Sequence, residues 1–211
     1  MNVRPVIDAG PALNFLSINQ ERLLLATLGP LSMPEQVEME IMRKINSDSR
    51  FLPAAAIWQK LVPKWVCILS DDETLELDAV VQRISKLPMA ERVKEKKDLG
   101  ETMVVAHAVA AAEKGTAVTV LMDDGAACLM AMSEKRRLDR LKTTNPSMGS
   151  ISLISTLTVL ERAAGGRYLS NKKAMRDVYE RMRGLDDGLP PIEATRLLSA
   201  PLWLKSERRQ S

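Results

Sequence analysis

Short apolar, β-branched runs alternate along this chain with longer stretches of helical spacing, and that alternation constrains its fold more than any other feature. VRPVID at 3–8 predicts a strand, broken by Ala9-Gly10 before ALNFLSI resumes with helical spacing. Pro11 suits the first helical position, where no N–H is needed. ERLLLATL at 21–28 predicts a second helix, stopped by Gly29-Pro30. LSM at 31–33 predicts a short strand, and PEQVEMEIMRKI at 34–45 a helix with Val37, Ile41 and Ile45 on one face. Further helices are predicted over 53–62, 74–86, 89–97 and 101–115, with a short strand at 65–69. AVTVLM at 117–122 reads as a buried strand ended by Asp123-Asp124-Gly125, and 126–137 as a helix. LKTTN at 141–145 is the candidate last strand, with helices over 150–164 and 170–183 behind it. Strands that alternate with helices pair most economically in parallel through right-handed crossovers, which makes the fold α/β. Residues 1–185 are expected to form the domain and 186–211 a Pro-punctuated C-terminal tail.

Composition narrows the chemistry. With 45% hydrophobic and 27% charged residues the chain can bury a core, but aromatics make up only 3%, which argues against stacking platforms for bases. Cys67 and Cys128 lie far apart inside apolar runs and read as reduced core thiols, not a disulfide framework. His107 is the one histidine, so a paired-histidine ribonuclease, a multi-histidine metal site and a carboxylate-oriented His triad are all hard to build. Its Ala/Val surroundings mark it as a packed histidine. Residues 1–20 lack the pattern of a secretory leader, and no run approaches 18 apolar residues, so no membrane span and a cytoplasmic location are expected. Catalysis, if the chain performs any, must use carboxylates.

In an open parallel sheet the ligand crevice lies beyond the carboxyl ends of the strands. Asp8 ends the first strand, and Asp123 with Asp124 ends the strand at 117–122. Glu101 opens the helix before that strand, and Glu38 or Glu40 lies on the helix after the second; spacing alone does not choose between them. Clustered carboxylates repel unless a cation neutralises them, and hard oxygen ligands favour Mg²⁺ or Mn²⁺. Each acid also has an ordinary structural role open to it, because Asp and Glu are favoured in first helical turns.

Four segments resemble the PIN-domain nucleases, in particular the toxins of bacterial VapBC toxin–antitoxin pairs. They are VIDAGPALNFL at 6–16, MPEQVEMEI at 33–41, DLGETMVVAHAVA at 98–110 and VLMDDGAACLMA at 120–131, in the family's order. By this resemblance Asp8 matches the first metal-site aspartate, Glu40 the glutamate closing P-x-x-V-x-x-E, and Glu101 the glutamate of the G-E pattern. Asp123 or Asp124 supplies the last carboxylate. The resemblance implies a three-layer α/β/α sandwich and a metal-dependent endoribonuclease in which Asp8, Glu40, Glu101 and Asp124 are catalytic. Asp8, Glu101, Asp123 and Asp124 would hold Mg²⁺ or Mn²⁺. It further implies an RNA substrate, homodimerisation and inhibition by a cognate antitoxin protein. Where the family often has a hydroxyl residue, this chain has Gly10 and Met122, which keeps a second reading open: a non-catalytic PIN-like module that binds RNA or protein.

Charge is unevenly placed. Residues 135–185 hold 12 Lys/Arg against 4 Asp/Glu, a net +8 in a chain whose total is +3. Lys135, Arg136, Arg137, Arg140 and Lys142, with Lys172, Lys173 and Arg176, are the candidates for a basic surface flanking the acidic pocket and gripping a phosphate backbone.

Overall fold

A computed structural model describes residues 3–207, with side chains as far as residue 203. Five strands, β1 (Val6–Ile7), β2 (Leu31–Pro34), β3 (Val66–Leu69), β4 (Ala117–Leu121) and β5 (Ser150–Ile154), form one sheet in the order β3-β2-β1-β4-β5, and every pairing is parallel. Between β1 and β2 lie α1 (Ala9–Leu16) and α2 (Glu21–Leu28); between β2 and β3, α3 (Glu35–Ser47) and α4 (Leu52–Leu61). The long excursion from β3 to β4 carries α5 (Leu75–Ser85), α6 (Met89–Arg92) and α7 (Leu99–Glu113). α8 (Gly125–Thr144) joins β4 to β5, and α9 (Thr156–Ala163), α10 (Lys172–Arg183) and α11 (Ala200–Glu207) follow.

The chain steps outward from β1 to β2 and β3, then returns to β1's other side for β4 and β5. Right-handed crossovers in opposite directions put their helices on opposite faces, and the result is a three-layer α/β/α sandwich. α7 shows the burial this requires. Ten of its fifteen residues are buried, on all sides, because it lies against β1, β2, β4 and β5 while α3, α5 and α8 pack around it.

Three expectations are corrected. Leu141–Thr144 is not a strand but the last turn of α8, a 20-residue helix. The last strand is instead the start of the segment read as one helix over 150–164. Ser150–Ile154 pairs in register with β4 from Ala117↔Ser150 to Leu121↔Ile154, and Ser155 caps α9 immediately afterwards. Within this strand Ile151 and Ile154 are buried and Ser152 is exposed. Gly149 admits the pairing, because a Cβ there would lie only 1.9 Å from the Thr116 carbonyl oxygen. The helix expected over 89–97 is also shorter, ending at Arg92.

The segment after α10 packs onto the domain as far as it is described. Leu189, Ile192, Leu197 and Trp203 are buried, Trp203 Nε1 donates to the Leu197 carbonyl at 2.8 Å, and Tyr179 Oη donates to the Pro190 carbonyl at 2.7 Å. Residues 208–211 of the expected tail lie outside the described residues. Truncating a buried leucine leaves a cavity, so Leu197→Ala should lower the unfolding free energy in urea by about 2–4 kcal/mol. A loss below about 0.5 kcal/mol would show that this segment does not pack on the domain as described.

Candidate active site

The point at which the strand order reverses lies between β1 and β4, and parallel sheets open a crevice there at their carboxyl ends. Val6 pairs with Val120 and Ile7 with Leu121, and the Asp8 N–H extends the ladder to the Leu121 carbonyl at 3.0 Å. The residues that follow each strand are thereby held side by side. A cavity of about 420 Å³ occupies the crevice, and its walls include Asp8, Glu40, Glu101, Asp123 and Asp124 together with Gly10, Lys44 and Asp186.

Asp8 lies deepest. It is 6% exposed and occupies the N-cap position of α1 without a side-chain capping bond. Burial pushes its carboxyl up to about 7, against the pull of the Ala9 N–H, and the charges of Glu101 and Glu40 add to the rise. Glu101 stands in the first turn of α7; burial raises its pKa too, and the charges of Glu40, Asp98 and Asp124 act in the same direction. Gly100 brings α7 and α3 together, since a Cβ there would sit 3.0 Å from Glu40 Oε2 and 3.5 Å from Val37 Cγ2. The glycine of the Gly-Glu pair thus leaves room for the Glu40 carboxylate beside Glu101.

Geometry settles the choice on α3. Glu40 faces the cavity, ion-paired with Lys44 at 2.8 Å, whereas Glu38 accepts from Trp58 Nε1 at 3.2 Å. Asp123 and Asp124 both reach the cavity and both hold helix ends. Asp123 accepts from the Thr156 N–H at 2.8 Å and from Thr156 Oγ1 at 2.5 Å, at the start of α9. Its carboxyl is raised by burial in spite of those two bonds. Asp124 is the N-cap of α8 and accepts from the Ala127 N–H at 2.9 Å. Asp186, in the segment expected to be a tail, also lines the cavity and accepts from the buried Asn14 amide at 2.7 Å. Asn14 was visible in the first helix, but nothing in the sequence linked it to a carboxylate 172 residues away.

Among the described residues no three His, Cys, Asp or Glu side chains form a group able to hold a metal ion. Asp123 and Asp124 are engaged at helix ends and Glu40 by Lys44, which leaves Asp8 and Glu101 as the two acids raised by burial with no competing side-chain bond. Two carboxylates suffice for Mg²⁺, which keeps several waters and takes its remaining ligands from substrate phosphate. The donors at Asp8 and Glu101 are all oxygen, the ligand type that hard divalent cations take, with the Lys44 ammonium as the one cation in the same wall among the described residues.

The remaining candidates lie elsewhere or are inert. His107 Nε2 meets Asp71 Oδ1 at 2.7 Å, outside the cavity. The cysteines are free and half-buried, and the Cys128 thiol is pushed up by burial and then by Asp123, Asp124 and Asp8. The basic surface expected beside the pocket is a correction. At about 1.5 Å per residue, Lys135 and Lys142 stand roughly 15 and 25 Å along α8 from its cavity end. Arg137 pairs there with Glu134 and Glu113, the last residue of α7, twelve residues beyond Glu101. Lys172, Lys173 and Arg176 open α10, whose opposite end leads into Asp186.

No protein-family model, no curated protein and no solved structure matches this chain.

With the Asp8 pKa near 7, the folded chain binds that proton more tightly than the unfolded chain does. The group's contribution to stability therefore falls as the pH rises from about 4 to about 7. In EDTA, Asp8→Asn should stabilise the protein against urea by on the order of 2 kcal/mol at pH 8 and by much less at pH 5. Equal effects at the two pH values would contradict the burial of an ionisable Asp8.

Proposed function

We propose that this chain is a metal-dependent endoribonuclease of the PIN-domain kind, acting as the toxin of a toxin–antitoxin pair. The observation that carries the reading is the convergence of Asp8, Glu40, Glu101 and Asp124, from four separate segments, on one cavity at the switch point of a parallel sheet. The four segments that resemble the family are those that supply these acids, which supports the assignment further.

Asp8 and Glu101 would hold Mg²⁺ or Mn²⁺, whose contribution when bound is to neutralise the phosphate and to lower the pKa of water. Glu40, at the same wall, accepts a proton from the attacking water, and Lys44, 2.8 Å from it, orients its carboxylate. Asp124 fixes the start of α8 against the cavity while adding to its negative field. Water attacks phosphorus, the bond to the 3′ oxygen breaks, and that oxygen takes up a proton. The products are a 5′-phosphate and a 3′-hydroxyl. A cognate antitoxin offering an Arg or Lys to the cavity competes with the cation for the same carboxylates.

The binding-module reading has its own support in the capping duties of Asp123 and Asp124. Gly10 leaves open space in the cavity wall where the family often has a hydroxyl, since a Cβ there would meet nothing within 4 Å.

Purified protein should cut a panel of RNAs in Mg²⁺ or Mn²⁺ and not in EDTA, leaving 5′-phosphates, with Asp8→Asn slower by roughly 10²-fold or more. Mn²⁺ should raise the melting temperature of the wild type and not of Asp8→Asn. A 2′,3′-cyclic phosphate product would overturn the mechanism, and a metal-induced shift without cleavage would favour the binding module.

A further inference from the structure

A second cleft, of about 580 Å³, shares Glu40 and Glu101 with the acidic cavity as a common wall. Its outer lining carries Arg43, Lys96 and Lys97, with Asp98 among them. The two spaces adjoin at Glu40 and Glu101, with the cations Arg43, Lys96 and Lys97 lining only the second. All three cations are exposed, and among the described residues neither Arg43 nor Lys97 has an ion-pair partner; Lys96 Nζ donates only to the Val93 carbonyl at 3.3 Å.

Local structure places these cations. Arg43 follows Glu40 by three residues on α3, so both side chains look the same way. Lys96 and Lys97 precede Asp98, whose left-handed backbone (φ 52°, ψ 24°) turns the chain into α7 and brings Glu101 in three residues later. Arg92 fixes the loop from below. It is 6% exposed, and its guanidinium donates to the Glu95 carbonyl at 2.5 Å, the Lys97 carbonyl at 2.8 Å and Thr102 Oγ1 at 3.0 Å. A buried cation thus binds the loop backbone while two lysines are left free to face solvent. Ordering the loop in advance lowers the entropy that a ligand must overcome.

We infer that the Arg43–Lys96–Lys97 cleft binds the backbone of single-stranded RNA beside the scissile phosphate, an inference that rests on the nuclease reading of the adjoining cavity. A phosphodiester approaching Asp8, Glu40 and Glu101 meets negative charge, so the attraction that holds the strand must come from next to the cavity. This cleft is the basic surface that shares its wall. The lining contains no aromatic residue on which a base could stack, so the attraction there is to phosphate. The recessed position of Asp8 calls for a strand that can bend into the cavity, which a single strand does more readily than a duplex.

The test measures binding of a fluorescein-labelled 12-nucleotide single-stranded oligouridylate by anisotropy in Mg²⁺, across a salt series, in the Asp8→Asn background. Adding Arg43→Gln, Lys96→Gln and Lys97→Gln should lower the slope of log affinity against log salt by about 2, since each phosphate contact on a single strand contributes about 0.7. Each single substitution should lower it by about a third of that. Lys135→Gln with Arg136→Gln and Arg140→Gln, in the second half of α8, should leave the slope unchanged. The exposed side chains can be changed without loss of fold, and melting temperatures check this. An unchanged slope in the cleft variant, a fall in the α8 variant, or no RNA binding overturns the inference. If the wild type cuts RNA but the cleft slope does not move, this inference fails while the nuclease reading stands. If the slope falls but the wild type cuts nothing, the cleft stands and the nuclease reading fails.

Discussion

The parallel ladder between β1 and β4 is the constraint on which the rest of this molecule depends. It joins residues 6–7 to residues 120–121 and so sets side by side the two chain segments that end in Asp8 and in Asp123-Asp124. Everything between them in sequence serves that pairing. β2 and β3 extend the sheet on one side, and the excursion through α5, α6 and α7 returns the chain across the sheet to β1's free edge. α7 makes this return possible because Ala, Val and Gly let it be buried on all sides, and its first turn carries Glu101 to the carboxyl ends of the strands.

That placement has an electrostatic consequence. Asp8 is buried beside two other acids, and burial first, with their charges adding to it, pushes its pKa up to about 7. The neighbouring acids are treated differently. Asp123 and Asp124 hold the starts of α9 and α8, Glu40 is held by Lys44, and only Asp8 and Glu101 are left raised without a competing side-chain bond. The asymmetry divides one acidic wall into a part that maintains the fold and a part available to a ligand.

Much of this was legible in the sequence where local signals and tertiary context agree. The α2 and α3 boundaries follow from Gly29 and Pro34, and the sheet class from the alternation of elements. Ser150–Ile154 was misread because an apolar run beside a capped helix shares its residues with either period, and only the pairing with β4 decides. Glu38 and Glu40 could not be separated until Trp58 occupied one of them. The basic surface was assigned by net charge over a stretch of sequence, which records how many cations a helix carries but not at which end of the sheet they emerge. Lys96 and Lys97 stand in plain view immediately before the DLGE segment, and their proximity to Glu101 is the signal to use. Asp186 gave no such sign, since its partner Asn14 lies at the other end of the chain.

The divalent cation proposed at Asp8 and Glu101 is tested most directly by anomalous scattering from a crystal grown with Mn²⁺. The expected result is an anomalous peak about 2.1 Å from an oxygen of each of these two carboxylates. It should vanish in Asp8→Asn crystals of the same form. A cavity without such a peak at saturating Mn²⁺, or a peak bound only by residues outside it, would contradict the account.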